Sequence, residues 1–132
     1  MKCKILHEST GRMRVHLNCR RMTLHQADVL EYYLRNVDGG DLPRPGAVIM
    51  QYTGLSEYSE SDPPTYACVG DRDGIANWQV MQARLGAVQQ AGIDTEFHVY
   101  SGLGHGFGLG TGTSAEGWIN DAVAFWEKQT KK

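Results

Sequence analysis

The sequence predicts an α/β fold, in which parallel strands are flanked by helices and preceded by an N-terminal strand-helix unit. Three observations carry this prediction. Short apolar runs of buried-strand type alternate with amphipathic helical segments in the second part of the chain, and turns containing glycine or proline separate them. The 132 residues, 41% of them hydrophobic, are also enough to bury one core.

Residues 1–40 form a first piece with its own pattern. Arg12–Leu17 alternates polar and apolar residues, as a half-buried strand does. A helix follows, in which Thr23 and Gln26 have the spacing of a capping box and Ala27–Val37 carries apolar residues at helical spacing. Because Asp41–Pro45 contains two prolines, which disfavour a helix before them, we place the domain boundary there.

Residues 46–132 form the second piece, which alternates strands and helices. The predicted strands are Ala47–Met50, Thr65–Val69 and Thr95–Tyr100. A helix at about Ala76–Ala91 lies between the last two strands, and a final helix starts at the capping-box spacing of Thr113 and Glu116. The order is therefore β-β-α-β-α, with apolar helix faces made by Trp78, Met81, Leu85 and Val88 and by Trp118, Ala122, Phe125 and Trp126.

Two ionisable side chains, a carboxylate and an imidazole, follow the last two predicted strands. Asp73 lies just after Val69, and His105 lies in a glycine-rich loop after Tyr100. Parallel strands joined through a helix release these loops at the same edge of the sheet, so the side chains should lie within hydrogen-bond reach. A carboxylate beside an imidazole is the orienting pair of a nucleophilic hydrolase. The sequence thus nominates Asp73 and His105 as a catalytic acid and base.

The segments around these residues resemble the last two motif blocks of the α/β-hydrolases, in the acetyl-esterase and carboxylesterase branch. The matching strings are Thr65-Tyr66-Ala67-Cys68-Val69-Gly70-Asp71-Arg72-Asp73-Gly74-Ile75-Ala76 and Phe97-His98-Val99-Tyr100-Ser101-Gly102-Leu103-Gly104-His105-Gly106-Phe107-Gly108. The resemblance implies a C-terminal part of a hydrolase sheet and small acyl ester substrates. It also selects Asp73, rather than Asp71, as the acid.

Simpler interpretations stand beside this one. Asp73 could serve only as a turn former, and Asp71 is better explained as a turn residue. We interpret His98, inside a strand, as structural or exposed, and Cys68 as a buried thiol.

The nucleophile of the family is absent from its expected place. No Gly-x-Ser-x-Gly elbow precedes Asp73, and Gly112–Glu116 lacks the second glycine and follows the histidine. Ser56, Ser59 and Ser61 precede the acid but occupy a polar loop. We therefore expect a serine-hydrolase-derived domain, truncated relative to the family and inactive as an isolated chain.

The first piece resembles the opening of the heavy-metal-associated domain of P-type metal-transporting ATPases, through Lys4–Val15 and the helix Ala27–Val37. That family binds metal through a C-x-x-C loop, which this chain lacks, and its three cysteines show no other metal-ligand spacing. We expect a chimeric chain with no metal site and no cofactor.

Charge and hydropathy exclude several partners. The net charge of -2 provides no basic field for nucleic acid, and no segment approaches the roughly 20 apolar residues of a membrane span. Met1–Glu8 lacks a signal-peptide core, so we expect a cytoplasmic protein.

Two further functional classes remain open beside the hydrolase: a noncatalytic self-associating module and a metal-binding accessory domain. A sheet of only three or four strands should expose an apolar edge, with Ala47–Met50 as the first candidate. We therefore expect a homo-oligomer whose interface includes that strand or the helix Ala27–Val37.

Overall fold

A computed structural model describes residues 13–16, by their backbone, and residues 46–131. The elements follow in the order β1 (Met13–His16), β2 (Ala47–Gln51), β3 (Thr65–Gly70), α1 (Trp78–Gln90), β4 (Thr95–Tyr100) and α2 (Trp118–Thr130). From β2 onward this is the predicted order. The predicted helix Ala27–Val37, the first two cysteines and nearly all of the segment that resembles a heavy-metal-associated domain lie outside the described residues.

The four strands form one parallel sheet in the order β1-β2-β3-β4. Ile49 of β2 lies beside Val15 on one side and beside Tyr66 on the other. The strand predicted within Arg12–Leu17 is present at Met13–His16, where it extends the sheet beside β2. The expectation that Ala47–Met50 forms an edge is wrong, because β1 occupies the outer position and every residue of β2 is buried.

Helices cover both faces of the sheet, which makes three layers. Alternate residues of a strand point to opposite faces, and β2 and β3 bury apolar side chains on both. The cluster under α2 includes Ala47, Ile49, Tyr66, Cys68, Trp118, Ala122 and Phe125, and the cluster under α1 includes Val48, Met50, Ala67, Val69, Met81 and Leu85. Unbroken apolar runs such as Ala47–Met50 are typical of strands enclosed in this way.

Both helices begin later in the chain than their sequence signals predict. The first residue of α1 is Trp78, because the Asn77 side chain accepts two backbone N–H groups and caps the helix there. The first residue of α2 is Trp118, preceded by Gly117 with a φ of 90°. The spacing at Thr113–Glu116 belongs to a separate turn before the helix, closed by a 3.1 Å backbone hydrogen bond. Capping-box spacing alone does not distinguish such a turn from a helix start.

None of the described helices is both long enough and apolar enough to cross a bilayer.

Candidate active site

Two loops meet at one edge of the sheet. The aspartate loop, residues 71–77, follows β3, and the histidine loop, residues 101–112, follows β4. The N–H of Asp71 donates to the carbonyl oxygen of Tyr100, and the N–H of Arg72 donates to that of Leu103, both at 3.0 Å. Gly70 makes this approach feasible, since a Cβ at this position would lie 2.1 Å from the carbonyl oxygen of Leu103. The two loops are thus held together by their backbones before any side chain contributes.

Asp73 and His105 are brought together as the sequence predicts. Asp73 Oδ2 lies 2.8 Å from His105 Nδ1. Asp73 Oδ1 accepts the backbone N–H groups of Ile75 and Ala76, each at 2.8 Å. Asp73 therefore closes its own turn through Oδ1 and pairs with His105 through Oδ2, so it is not a turn former alone.

Exposure differs sharply between the two partners. The Asp73 side chain is 0% exposed, whereas that of His105 is 24% exposed. Because an ionised carboxylate can only accept, the pairing places the hydrogen on Nδ1 and leaves Nε2 as the free acceptor of the neutral ring. Within the described part of the chain Nε2 has no hydrogen-bond partner. This arrangement suits a general base: a fixed tautomer, a shielded carboxylate and an accessible nitrogen.

Side chains from two other elements hold the histidine loop at its far end. The carbonyl oxygen of Gly108 accepts a hydrogen bond from Gln51 Nε2 at 2.6 Å and another from Trp118 Nε1 at 2.9 Å. At the near end, Asp71 Oδ1 accepts the N–H of Gly102 at 2.7 Å. The loop is therefore fixed to β2, to α2 and to the aspartate loop.

Sequence reasoning missed most of these supports. Sequence patterns place Asp71 in its own turn and Trp118 in the core, although each also donates to or accepts from the backbone of the histidine loop. Gln51 was not singled out at all. Its one available signal was a polar residue directly after an apolar strand, which does not reveal a partner 57 residues away.

Tyr52 lies against the imidazole. Its ring centroid is 4.7 Å from that of His105 and 5.0 Å from that of Phe107, both in edge-on geometry. The residue is buried, and burial raises the pKa of its hydroxyl. Its φ of 43° places it in the left-handed region, where it is the one non-glycine residue among those described.

Three of the serines considered as nucleophiles make hydrogen bonds elsewhere. Ser59 Oγ and Ser61 Oγ are 2.8 Å apart and bond to each other, and Ser114 Oγ donates to the carbonyl oxygen of Ser101. Within residues 46–131, no hydrogen bond joins a serine to His105.

Other chemically capable groups are also separate from the pair. His98 bonds to Glu96 at 2.7 Å on β4, partly exposed, as the structural interpretation requires. Cys68 is buried, and burial raises the pKa of its thiol, which disfavours the reactive thiolate form. The described residues contain no cluster of three or more histidine, cysteine or acidic side chains that could hold a metal ion.

Solved structures with a similar fold include an α/β-hydrolase, a sugar hydrolase and a carboxylesterase. The α/β-hydrolase enzyme MGS-M1 from a Medee basin deep-sea metagenome library is 17% identical with a TM-score of 0.60, over 75% of this chain and 50% of its own. A sugar hydrolase from Lactococcus lactis is 17% identical with a TM-score of 0.64, over 80% and 56%. The carboxylesterase Cest-2923 from Lactobacillus plantarum WCFS1 is 15% identical with a TM-score of 0.58, over 75% and 50%.

These similarities establish the α/β-hydrolase-like fold. The chain spans about half the length of the structures that it resembles. No protein-family profile and no curated protein matches the sequence. The comparisons give no support to a heavy-metal-associated domain in residues 1–40.

Proposed function

We propose that this chain carries the acid-base part of a carboxylic-ester hydrolase, with His105 as the general base and Asp73 as the carboxylate that orients it. The observation that carries the proposal is the 2.8 Å bond between Asp73 Oδ2 and His105 Nδ1. It lies at the carboxyl edge of a parallel sheet, where α/β folds place their ligands. The fold is shared with esterases, which makes small acyl esters the substrate class of choice.

In this proposal, His105 Nε2 takes the proton of a serine hydroxyl as that oxygen attacks the ester carbonyl. The ring becomes an imidazolium, and the shielded carboxylate of Asp73 stabilises the new charge through Nδ1–H. His105 then returns the proton to the leaving alcohol. The side chains that fix Gly102 and Gly108 hold the ring in place during both transfers.

The proposal leaves two parts of the reaction to polypeptide outside these 132 residues. The sequence has no Gly-x-Ser-x-Gly elbow, and the described residues show no serine bonded to His105. A nucleophile and an oxyanion hole each contribute orders of magnitude to the rate. We therefore propose that the isolated chain is catalytically silent.

Hydrolysis of p-nitrophenyl acetate tests this directly. The isolated chain should turn over the ester no faster than its His105→Ala variant, because an imidazole without a nucleophile gives only background hydrolysis. A fluorophosphonate probe should leave the chain unlabelled. A burst of nitrophenol that disappears on replacement of a single serine would overturn the claim of inactivity and identify the nucleophile.

A second candidate function, a noncatalytic self-associating module, has one observation in its favour. The carbonyl oxygens of Asp94 and Tyr100 bond to the β3 side, so the backbone groups of Thr95, Phe97 and Val99 point away from the sheet. No described strand lies beyond β4 to receive them. Nothing in the described residues favours the metal-binding alternative.

A further inference from the structure

Two energetically unfavourable features lie next to each other at the end of β2. Tyr52 adopts a left-handed backbone conformation that a bulky residue rarely takes. Gln51, directly before it, is 1% exposed and keeps its Oε1 without a hydrogen-bond partner. Both features oppose stability, and such features accumulate where geometry is required for function.

Both residues contact the histidine loop. The Tyr52 ring meets the rings of His105 and Phe107, and Gln51 Nε2 donates to the carbonyl oxygen of Gly108. The backbone of Tyr52 is also held in place, because its N–H donates to the carbonyl oxygen of Cys68 at 2.7 Å. The end of β2 is therefore tied to β3 while its next side chain is turned toward the imidazole.

We infer that Tyr52 is a positioning residue, whose ring holds the His105 imidazole in the orientation that keeps Nδ1 on Asp73 and Nε2 free. The inference rests on the proposed function of the pair. Asp73 fixes one atom of the ring, and a hydrogen bond to one atom still permits the ring to rotate about it. An edge-on aromatic contact at 4.7 Å restricts that rotation.

Simple core packing is the competing explanation, and the backbone argues against it. A ring needed only to fill space could be carried by a residue with an ordinary φ. The left-handed conformation at Tyr52 costs free energy. It is therefore expected only where the direction of the side chain is required. Among the described residues, its two aromatic contacts both lie on the loop that carries the candidate base.

The test follows the Nδ1 proton of His105 by NMR in the full chain, which requires no catalytic activity. Tyr52→Leu keeps apolar bulk and removes the ring. It should speed exchange of this proton roughly two- to tenfold, the range that the loss of an aromatic contact implies. Tyr52→Phe keeps the ring and should preserve the parent rate. Tyr52→Asn supplies a second ringless variant with a residue type that tolerates left-handed backbone.

Phe125→Leu is the matched control, because it removes another buried ring that contacts Tyr66 rather than His105. The His98 imidazole provides an internal reference for each sample. Equal exchange rates in Tyr52→Leu and the parent, or the same acceleration in Phe125→Leu, would overturn the inference. Asp73→Asn tests the proposed function separately: if it leaves the Nδ1 proton unchanged, the pair itself is wrong, whatever Tyr52 does.

Discussion

The two carboxylate oxygens of Asp73 have separate roles. Oδ1 closes the turn that leads toward α1, and Oδ2 holds the imidazole. A carboxylate with both oxygens occupied has few alternative rotamers, so the turn also orients the acid. Residue type and loop position were enough to predict the pairing, because parallel topology dictates which loops meet.

Amide substitution should separate these two tasks. Asp73→Asn retains an oxygen for the N–H groups of Ile75 and Ala76, whereas Asp73→Ala removes it. We expect the alanine variant to be less stable than the asparagine variant by about 1 kcal/mol, the usual effect of losing such a side-chain cap. Urea unfolding of both variants measures the difference. Equal stabilities would show that the turn does not depend on Oδ1.

Two buried groups that keep their protons should make the folded state less stable at alkaline pH. Cys68 and Tyr66 are both 0% exposed, and burial raises the pKa of each above its ordinary value of 9.0 or 10.0. Above those values the unfolded chain releases protons that the folded chain retains. Stability from these groups is therefore complete below pH 9.0 and declines as the pH rises.

Cys68→Ala should reduce this decline. One retained proton changes the free energy of unfolding by about 1.4 kcal/mol per pH unit, so the loss of stability in the parent should approach that rate about one pH unit above the ordinary pKa of Cys68, and exceed it once tyrosines contribute. Urea titrations at a series of alkaline pH values compare parent and variant. Identical slopes between pH 9.0 and 10.0 would contradict a buried neutral thiol.

Other site residues could not have been predicted from sequence. The left-handed φ of Tyr52 and the reach of Gln51 to Gly108 depend on where the loops settle in three dimensions. Neither has a local pattern of spacing or composition. The sequence thus predicts the pairing of Asp73 with His105, whereas the supports of the pair emerge only from tertiary contacts.

At the scale of elements, the strands were easier to predict than the helix ends. An apolar run such as Ala47–Met50 must be a buried strand or part of a buried helix, and its short length decides between them. Helix starts depend on one capping side chain, such as Asn77, which competes with similar residues nearby.

The long loop between β2 and β3 is anchored to α1 by one side chain, that of Arg84. Arg84 donates to Asp62 Oδ2 at 3.0 Å and to the carbonyl oxygen of Glu57 at 2.7 Å. The ion pair is nearly fully buried, at 1% exposure for each side chain. Periodicity predicted an apolar face for α1, but it could not predict a buried arginine on that face, because its partners lie in a distant loop.

The contact between the aspartate and histidine loops requires a glycine at position 70. Gly70→Ala would place a Cβ 2.1 Å from the carbonyl oxygen of Leu103, so the loops must separate. We expect a loss of about 2–3 kcal/mol in unfolding free energy, typical of overpacking, together with faster hydrogen exchange at the N–H of Arg72, which bonds to Leu103.

Gly74→Ala is the matched control, since a Cβ there meets nothing within 4 Å and its φ is not positive. It should change stability by only about 0.5 kcal/mol or less. If both alanine variants unfold at the same urea concentration, close approach of the two loops is not what Gly70 provides.

At the scale of the whole molecule, the described sheet has two outer strands, β1 and β4, and neither is the Ala47–Met50 strand that the sequence suggested. The pairing of β1 with β2 leaves β4 as the outer strand on the side of the candidate site. An outer strand with unpaired backbone groups is a template for another strand. In a twofold antiparallel pairing centred on Phe97, Glu96 of one chain would face His98 of the other, so opposite charges would meet when the imidazole is protonated.

We therefore predict that the chain self-associates through β4, burying more than about 1,000 Å² in total. Val99→Lys should shift the assembly toward monomer in sedimentation experiments, because an edge lysine opposes strand pairing.

Val80→Lys provides the control for added charge. Val80 has the same 39% exposure as Val99, but it lies on α1 rather than on the outer strand. If self-association proceeds through β4, this variant should sediment as the parent does, and only Val99→Lys should dissociate. A parent chain that is a monodisperse monomer at high micromolar concentration, or an equal response of both variants, would mean that the edge of β4 is not a docking surface.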